Sequence, residues 1–245
     1  MNQTAAKFDI IQQLQREVSS LQGFKCASDS HRPDIGLGPI EMAFPERTFP
    51  IGAVHEFISP TAEDAAATNG FITGVLGRLM QDSGTTLWVS TKRTLFPAAL
   101  KVFGIDPERI IFVDVPRQKN ALWAIEEALK CGAVSAVVGE LSELSFTESR
   151  RLQLAVEQSH VTGFIHRHNP RNRNTVACIA RWEIKPLMSG IEGMPGVGFP
   201  RWNVQLHKVR NGKPGTWQME WSAGGFRHIA PYAISIHQTT TRKAG

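Results

Sequence analysis

Apolar positions along the chain fall into short blocks with two alternating periods. Ala53–Ile58, Thr85–Ser90, Ile110–Asp114, Val134–Val138 and Val161–Ile165 are brief, nearly continuous apolar runs of strand length. Between them, Thr61–Gln81, Leu95–Phe103, Asn120–Lys130 and Thr147–Ser159 show the three- and four-residue spacing of helices. Gly132 follows the third helix in a helix-ending position, and Thr147, with Arg150 three residues on, gives the fourth half of a capping box. Apolar strands alternating with helices predict a mostly parallel sheet covered on both faces.

The pattern changes after residue 166. Thr175–Lys185 reads as a long strand, and Pro186–Pro200 as a loop. Trp202–Arg210 and Gly215–Trp221 flank Asn211-Gly212, a strong hairpin signal. An antiparallel β-hairpin extension therefore follows the parallel α/β part. Trp182, Trp202, Trp217 and Trp221 fit core or interface anchors there. Upstream, Phe8–Gln22 has amphipathic helical spacing through Ile11, Leu14, Val18 and Leu21. The domain plan is an N-terminal helix in 1–25, a linker in 26–50, a core in 51–232 and a frayed tail in 233–245. The first helix caps the core or, reaching out on its linker, docks on a neighbour through Leu14, Val18 and Leu21.

Composition changes this picture little. The 245 residues are 42% apolar and 20% charged, as in an ordinary globular protein. No run reaches membrane-spanning length, so no membrane contact is expected. The start lacks the basic flank and apolar stretch of a secretory signal. Cys26, Cys131 and Cys178 are too scattered for a disulfide framework or a metal site, and point to the reducing cytoplasm. The net charge of +5 permits nucleic-acid binding without establishing it.

The turn after the first strand decides what chemistry to expect. Ser59-Pro60-Thr61-Ala62-Glu63-Asp64 leads to Thr68-Asn69-Gly70, with no Gly-Lys-Thr and no glycine before Gly70. A phosphate-binding loop needs glycines that let backbone N–H groups curl round the phosphates, and a Lys that offsets their charge. Glu63 and Asp64 put negative charge there and suit the helix dipole themselves. Thr91 stands where a catalytic Glu would follow the second strand. Gly139-Glu140 stands where an Asp would hold Mg²⁺, and Glu140 is expected as a solvated strand-end carboxylate. We therefore expect a degenerate nucleotide site, no ATPase, no cofactor and no metal. His55 reads as a core histidine, and the eight histidines suggest no catalytic triad.

Leu206-His207-Lys208-Val209-Arg210-Asn211-Gly212-Lys213-Pro214-Gly215 resembles the Lys-x-Arg hairpin of RecA-like helicases and RadA-type proteins. Gly52–Phe57, Ala121–Gly132, Ser149–Ala155, Ala180-Arg181-Trp182 and Pro200-Arg201-Trp202, in that order, resemble the ImuA family. These are RecA-like accessory proteins of damage-induced mutagenesis, related to the division inhibitor SulA. The resemblance runs from about residue 8 to residue 227. It implies a RecA-like sheet and a non-catalytic role in SOS-induced translesion synthesis. The implied partners are an ImuB-like inactive Y-family polymerase and an error-prone replicative-type polymerase, with single-stranded DNA and RecA as further candidates. In the wider family Lys208 and Arg210 would reach a neighbouring subunit's nucleotide; here they are candidates for an interface. The densest basic stretch, His166–Asn174, occupies the place of RecA's second DNA loop. Its Arg167, His168, Arg171 and Arg173 are expected either to touch phosphates or to form a solvated charged loop. Two alternatives stand beside the accessory role: a SulA-like inhibitor of the tubulin-like division protein, and a DNA-stimulated ATPase, which the missing loop disfavours.

Overall fold

The computed structural model describes residues 33–81, 84–190 and 198–229. Nine strands form one sheet in the order β3-β2-β4-β5-β1-β6-β7-β8-β9. The strands β1 (Val54–Ser59), β2 (Thr86–Ser90), β3 (Ile110–Asp114), β4 (Ala136–Leu141) and β5 (Thr162–His168) pair in parallel. β6 (Ala180–Gly190) runs parallel to β1 over only three register pairs. β7 (Phe199–Val209), β8 (Gly215–Ser222) and β9 (Gly225–Ile229) then continue antiparallel.

Alternation along the parallel strands feeds two cores. Phe57, Trp88, Val138 and Phe164 face one side, where helix α1 (Ala62–Leu79) packs. Val54, Val89, Val137 and Ile165 face the other, under α2 (Gln118–Lys130) and α3 (Phe146–Ser159). The antiparallel half turns Trp182, Ile184, Trp202, Val204, Leu206, Met219 and Trp221 towards the α1 side, so these tryptophans are core anchors.

Three sequence expectations need correction. The stretch 33–50 of the expected linker belongs to the core: Ile35, Leu37, Ile40, Phe44 and Phe49 are all buried, around a 3₁₀ turn at Gly38–Ala43. The loop expected at 186–200 begins as strand, because β6 continues through Pro186, opposite Trp202, to Gly190. The α3 capping box lies two residues earlier than expected. The Ser145 side chain accepts from the Glu148 amide, and Glu148 Oε2 accepts from the Ser145 amide at 2.8 Å. The short strand β9 carries no sequence signal noted above. The N-terminal helix, with Leu14, Val18 and Leu21, and the tail at 233–245 lie outside the described residues.

Candidate functional site

In an open α/β sheet, ligands bind outside the carboxyl ends of the strands. Here that edge gathers the ends of β3, β2, β4, β5 and β1 in a row.

The turn from β1 into α1 is only Pro60-Thr61 long. Thr61 caps the helix, accepting from the Asp64 amide at 3.1 Å and donating to Asp64 Oδ2 at 3.0 Å. The Glu63 carboxyl is held below its ordinary range by its own amide and by the Thr61 hydroxyl. Two carboxylates thus occupy the helix N-terminus where a phosphate would lie. Two residues cannot build a loop that wraps a phosphate. Further along α1, Gly70 faces the Trp202 ring, and a Cβ there would stand in ordinary contact with it at 3.4 Å.

A buried polar line fills the space behind this turn. Ser59 Oγ lies 2.9 Å from Thr68 Oγ1 and 2.8 Å from His166 Nε2, and His166 Nδ1 lies 2.9 Å from Asn69 Oδ1. Residues 97 and 107 positions apart are joined, and no local sequence signal announces them. Ser, His and Asn in that order have the geometry of a nucleophile, a base and its orienter. Ser59 and His166 are fully buried and Asn69 is 5% exposed, so no substrate reaches them and the line is structural. Burial, reinforced by the neighbouring His168, pushes the His166 pKa well below the usual range, and the ring is neutral.

Glu140, at the end of β4, is not solvated as expected. It is buried, accepts from Trp88 Nε1 at 2.7 Å and has His168 Nε2 3.3 Å from its other oxygen. The His166 and His168 rings lie 3.9 Å apart. At Gly139 any Cβ would collide with Ile125, so this glycine serves the contact of α2 with β4. At the end of β2, Ser90 and Arg93 both bond Asp114 of β3, at 3.2 and 2.6 Å. Among the described residues no group of three or more His, Cys, Asp or Glu has the arrangement of a metal site.

The basic stretch at 166–174 divides. His166 and Arg167 belong to the interior. Arg167, expected as a DNA contact, is fully buried and bonds Glu56 Oε1 at 2.8 Å, Glu143 Oε2 at 3.2 Å and the Asn172 carbonyl at 2.9 Å. Arg181 completes the cluster, with its Nε 2.5 Å from Glu56 Oε2. Glu56 is 0% exposed, and a buried carboxylate requires such partners. The buried Cys178 thiol beside it is pushed up to about 12 by burial and by Glu56, so it stays protonated. His168 faces Glu140. Arg173 is exposed and pairs with Glu183 at 2.9 Å. The Arg171 side chain is exposed, while its amide donates to Glu143 at 2.7 Å.

The Arg-Asn-Gly hairpin sits at the other end of the sheet. The Arg210 amide donates to Ile179, whose own amide donates to Val54 at the start of β1. Lys208 Nζ donates to the Val176 carbonyl at 3.2 Å. Both residues are therefore remote from this chain's own carboxyl edge.

Burial also accounts for His55. It is fully enclosed, stacks on Phe49 with centroids 4.4 Å apart and bonds the Pro50 carbonyl at 2.7 Å. Its pKa falls to about 4 because burial penalises the charged ring, which makes it the core histidine expected.

Over 229 residues the chain is 33% identical to the protein ImuA of Caulobacter vibrioides, covering 86% of this chain and 93% of that protein. The chain belongs to the ImuA family. A family model described as cell division inhibitor SulA also matches, at residues 52–163. That span holds β1 to β4 and the start of β5, and omits the antiparallel half. SulA of Yersinia pestis is 27% identical over 116 residues, 47% of this chain and 68% of SulA. SulA of Yersinia pseudotuberculosis matches to the same extent. The fold is RecA-like. The RadB recombinase superposes with a TM-score of 0.52 at 14% identity, over 75% of this chain and 93% of RadB. A KaiC-like protein from Pyrococcus horikoshii gives 0.53 at 14% identity, over 81% and 98%. In this ImuA-family chain, the 86% covered by the ImuA match exceeds the span of the SulA model.

Proposed function

We propose that this chain is a non-catalytic accessory protein of SOS-induced, error-prone DNA repair, and that it acts in translesion synthesis as a scaffold for other proteins. Its partners are an ImuB-like inactive Y-family polymerase and an error-prone replicative-type polymerase. Membership of the ImuA family supports the accessory role. The observation that carries its non-catalytic character is the two-residue turn between β1 and α1, closed by Thr61, Glu63 and Asp64. A site with no glycine loop, no Lys and a preinstalled carboxylate pair neither holds phosphates nor activates water.

Purified protein is expected to release no phosphate from ATP, with or without DNA, and to capture the ImuB-like partner in a pull-down. DNA-stimulated hydrolysis would overturn the non-catalytic part, and no association with either polymerase-like protein would overturn the scaffold part. The match of residues 52–163 to the SulA model supports a second reading, inhibition of the tubulin-like division protein. Binding of that protein in the same pull-down, with none of the polymerase-like partner, would favour it.

A further inference from the structure

Among the described residues the sheet has three free strand edges, and they are not alike. β3 and β9 end the strand order, and β6 has no strand beside it on the β1 side beyond Trp182. Proteins blunt such edges with lysine, proline and other charges set into the strand. β6 carries exposed Lys185 and Pro186 in its free stretch, and β9 carries exposed Arg227 and His228. β3 is Ile110-Ile111-Phe112-Val113-Asp114, with no lysine or proline. Its one charge, Asp114, is held by Arg93 at 2.6 Å.

The Val115 amide donates to the Ser90 carbonyl of β2. Residues facing the neighbouring strand alternate, so Val113 and Ile111 also turn their amides to β2. Phe112 and Asp114 therefore turn theirs outward, as Ile110 does its carbonyl. The Ile110 amide closes the preceding 3₁₀ turn on Pro107. α2 packs over β2 and β4 and leaves Ile111 49% exposed. Two exposed charges flank the strand, Glu108 before it and Arg117 after it. Neither forms an ion pair among the described residues.

We infer that β3 is a self-association edge, on which a second copy of this chain adds its own β3 antiparallel about a two-fold axis at Phe112. This register sets Phe112 opposite its counterpart and Ile110 opposite Asp114. It provides four backbone bonds: two between the Phe112 residues, and one from each Asp114 amide to the other copy's Ile110 carbonyl. On the α2 side each Ile111 meets the other copy's Val113, and these two apolar pairs cover what the helix leaves open. Beyond the strand ends the same axis brings each Glu108 alongside the other copy's Arg117. An in-register parallel pairing would instead set Glu108 beside Glu108 and Arg117 beside Arg117. The strand is thus complementary to itself only when antiparallel, which is why a second copy fits it. The pairing uses up both edges, so the assembly closes at two chains. The dimer goes beyond the scaffold reading and is tested without any polymerase-like protein.

The experiment is sedimentation velocity over a concentration series. The contact has far fewer than the ~20–30 residues a side of a standard interface, so the native chain is expected to be monomeric at about 1 µM and to form a dimer, and nothing larger, by about 200 µM. Ile111→Lys puts two lysines at the seam in place of two apolar contacts and is expected to raise the dissociation constant at least about tenfold. Glu108→Arg is expected to raise it about fivefold, and Glu108→Arg/Arg117→Glu to return it to within about twofold of the native value. Trp123→Ala removes a ring 65% exposed on the outer side of α2 and is expected to leave the dimer unchanged. A chain that stays monomeric throughout, a species larger than a dimer, or a dimer that Ile111→Lys leaves intact would overturn the edge. A loss with Trp123→Ala as large as that with Ile111→Lys would place the contact on the helices and overturn it too. No effect of Glu108→Arg, or no recovery on adding Arg117→Glu, would overturn the antiparallel register. All the altered side chains are exposed, and an unchanged urea midpoint at about 1 µM confirms that each variant is folded.

Discussion

Arg167→Ala separates two views of the basic stretch. If Arg167 were a loop residue touching DNA, its loss would weaken binding and leave stability alone. The structure instead encloses the guanidinium completely, with Glu56 at 2.8 Å and itself 0% exposed. Removing one member of a buried ion pair leaves the other charge without its partner and costs about 3–5 kcal/mol. Arg181 still holds the second oxygen of Glu56 at 2.5 Å, which places the expectation at the lower end, about 3 kcal/mol. At a urea m-value of about 3 kcal/mol/M for a domain of this size, the midpoint falls by about 1 M. The corresponding drop in Tm is roughly 6–12 °C. Urea unfolding followed by tryptophan fluorescence measures it, since Trp182 lies in the same strand as Arg181. Arg171→Ala, four residues along and exposed, is the internal control and is expected within about 0.5 kcal/mol of the native chain. A loss below about 1 kcal/mol for Arg167→Ala would refute the reasoning.

Three further outcomes follow from the same packing. His55 and His166 are buried and neutral, with pKa values lowered by burial, so the unfolded chain binds more protons as the pH falls. Stability is expected to be full above about pH 6.5 and to fall below it, by up to about 1.4 kcal/mol per pH unit for each histidine, the His55 share ending near pH 4; urea midpoints that stay flat from pH 7.5 to 5 would contradict this. Gly77→Ala is expected to destabilise in spite of alanine's helix preference of about 1 kcal/mol, because the new Cβ would run into the Phe103 backbone carbonyl. A midpoint equal to or above the native one would show that the Phe103 segment yields. Ser145→Ala, which removes the acceptor for the Glu148 amide, is expected to cost about 1 kcal/mol in the same assay, and no change would mean that the α3 start does not need its cap.

The parallel half was legible because its strands alternate between two cores, and each apolar run has neighbours of the same kind. Ile35, Leu37, Ile40, Phe44 and Phe49 were not, since they lie among glycines and prolines with no helix or strand period, and only the α1 face reveals them as core. Arg167 shows the same limit in reverse. Its neighbours His168, Arg171 and Arg173 give a local density of charge that suggests a surface loop, while its partner Glu56 stands 111 residues earlier. The carboxylate-lined start of α1 was readable because Thr61, Glu63 and Asp64 are all local to it. The Ser59–His166–Asn69 line was not, because only the strand order brings β5 beside β1.

The Glu56 cluster also says something about how this sheet was put together. β1 and β6 share three register pairs, and the middle one, Glu56 opposite Arg181, is the place where the charge cluster crosses the seam. A relative reduced to the segment equivalent to 52–163 would have neither Arg167 nor Arg181, and would be left with an acid stranded in its central strand. Such a short chain must carry a different residue at that place or cover it with something else. Position 56 thus ties the central strand to β5 through Arg167 and to the antiparallel half through Arg181.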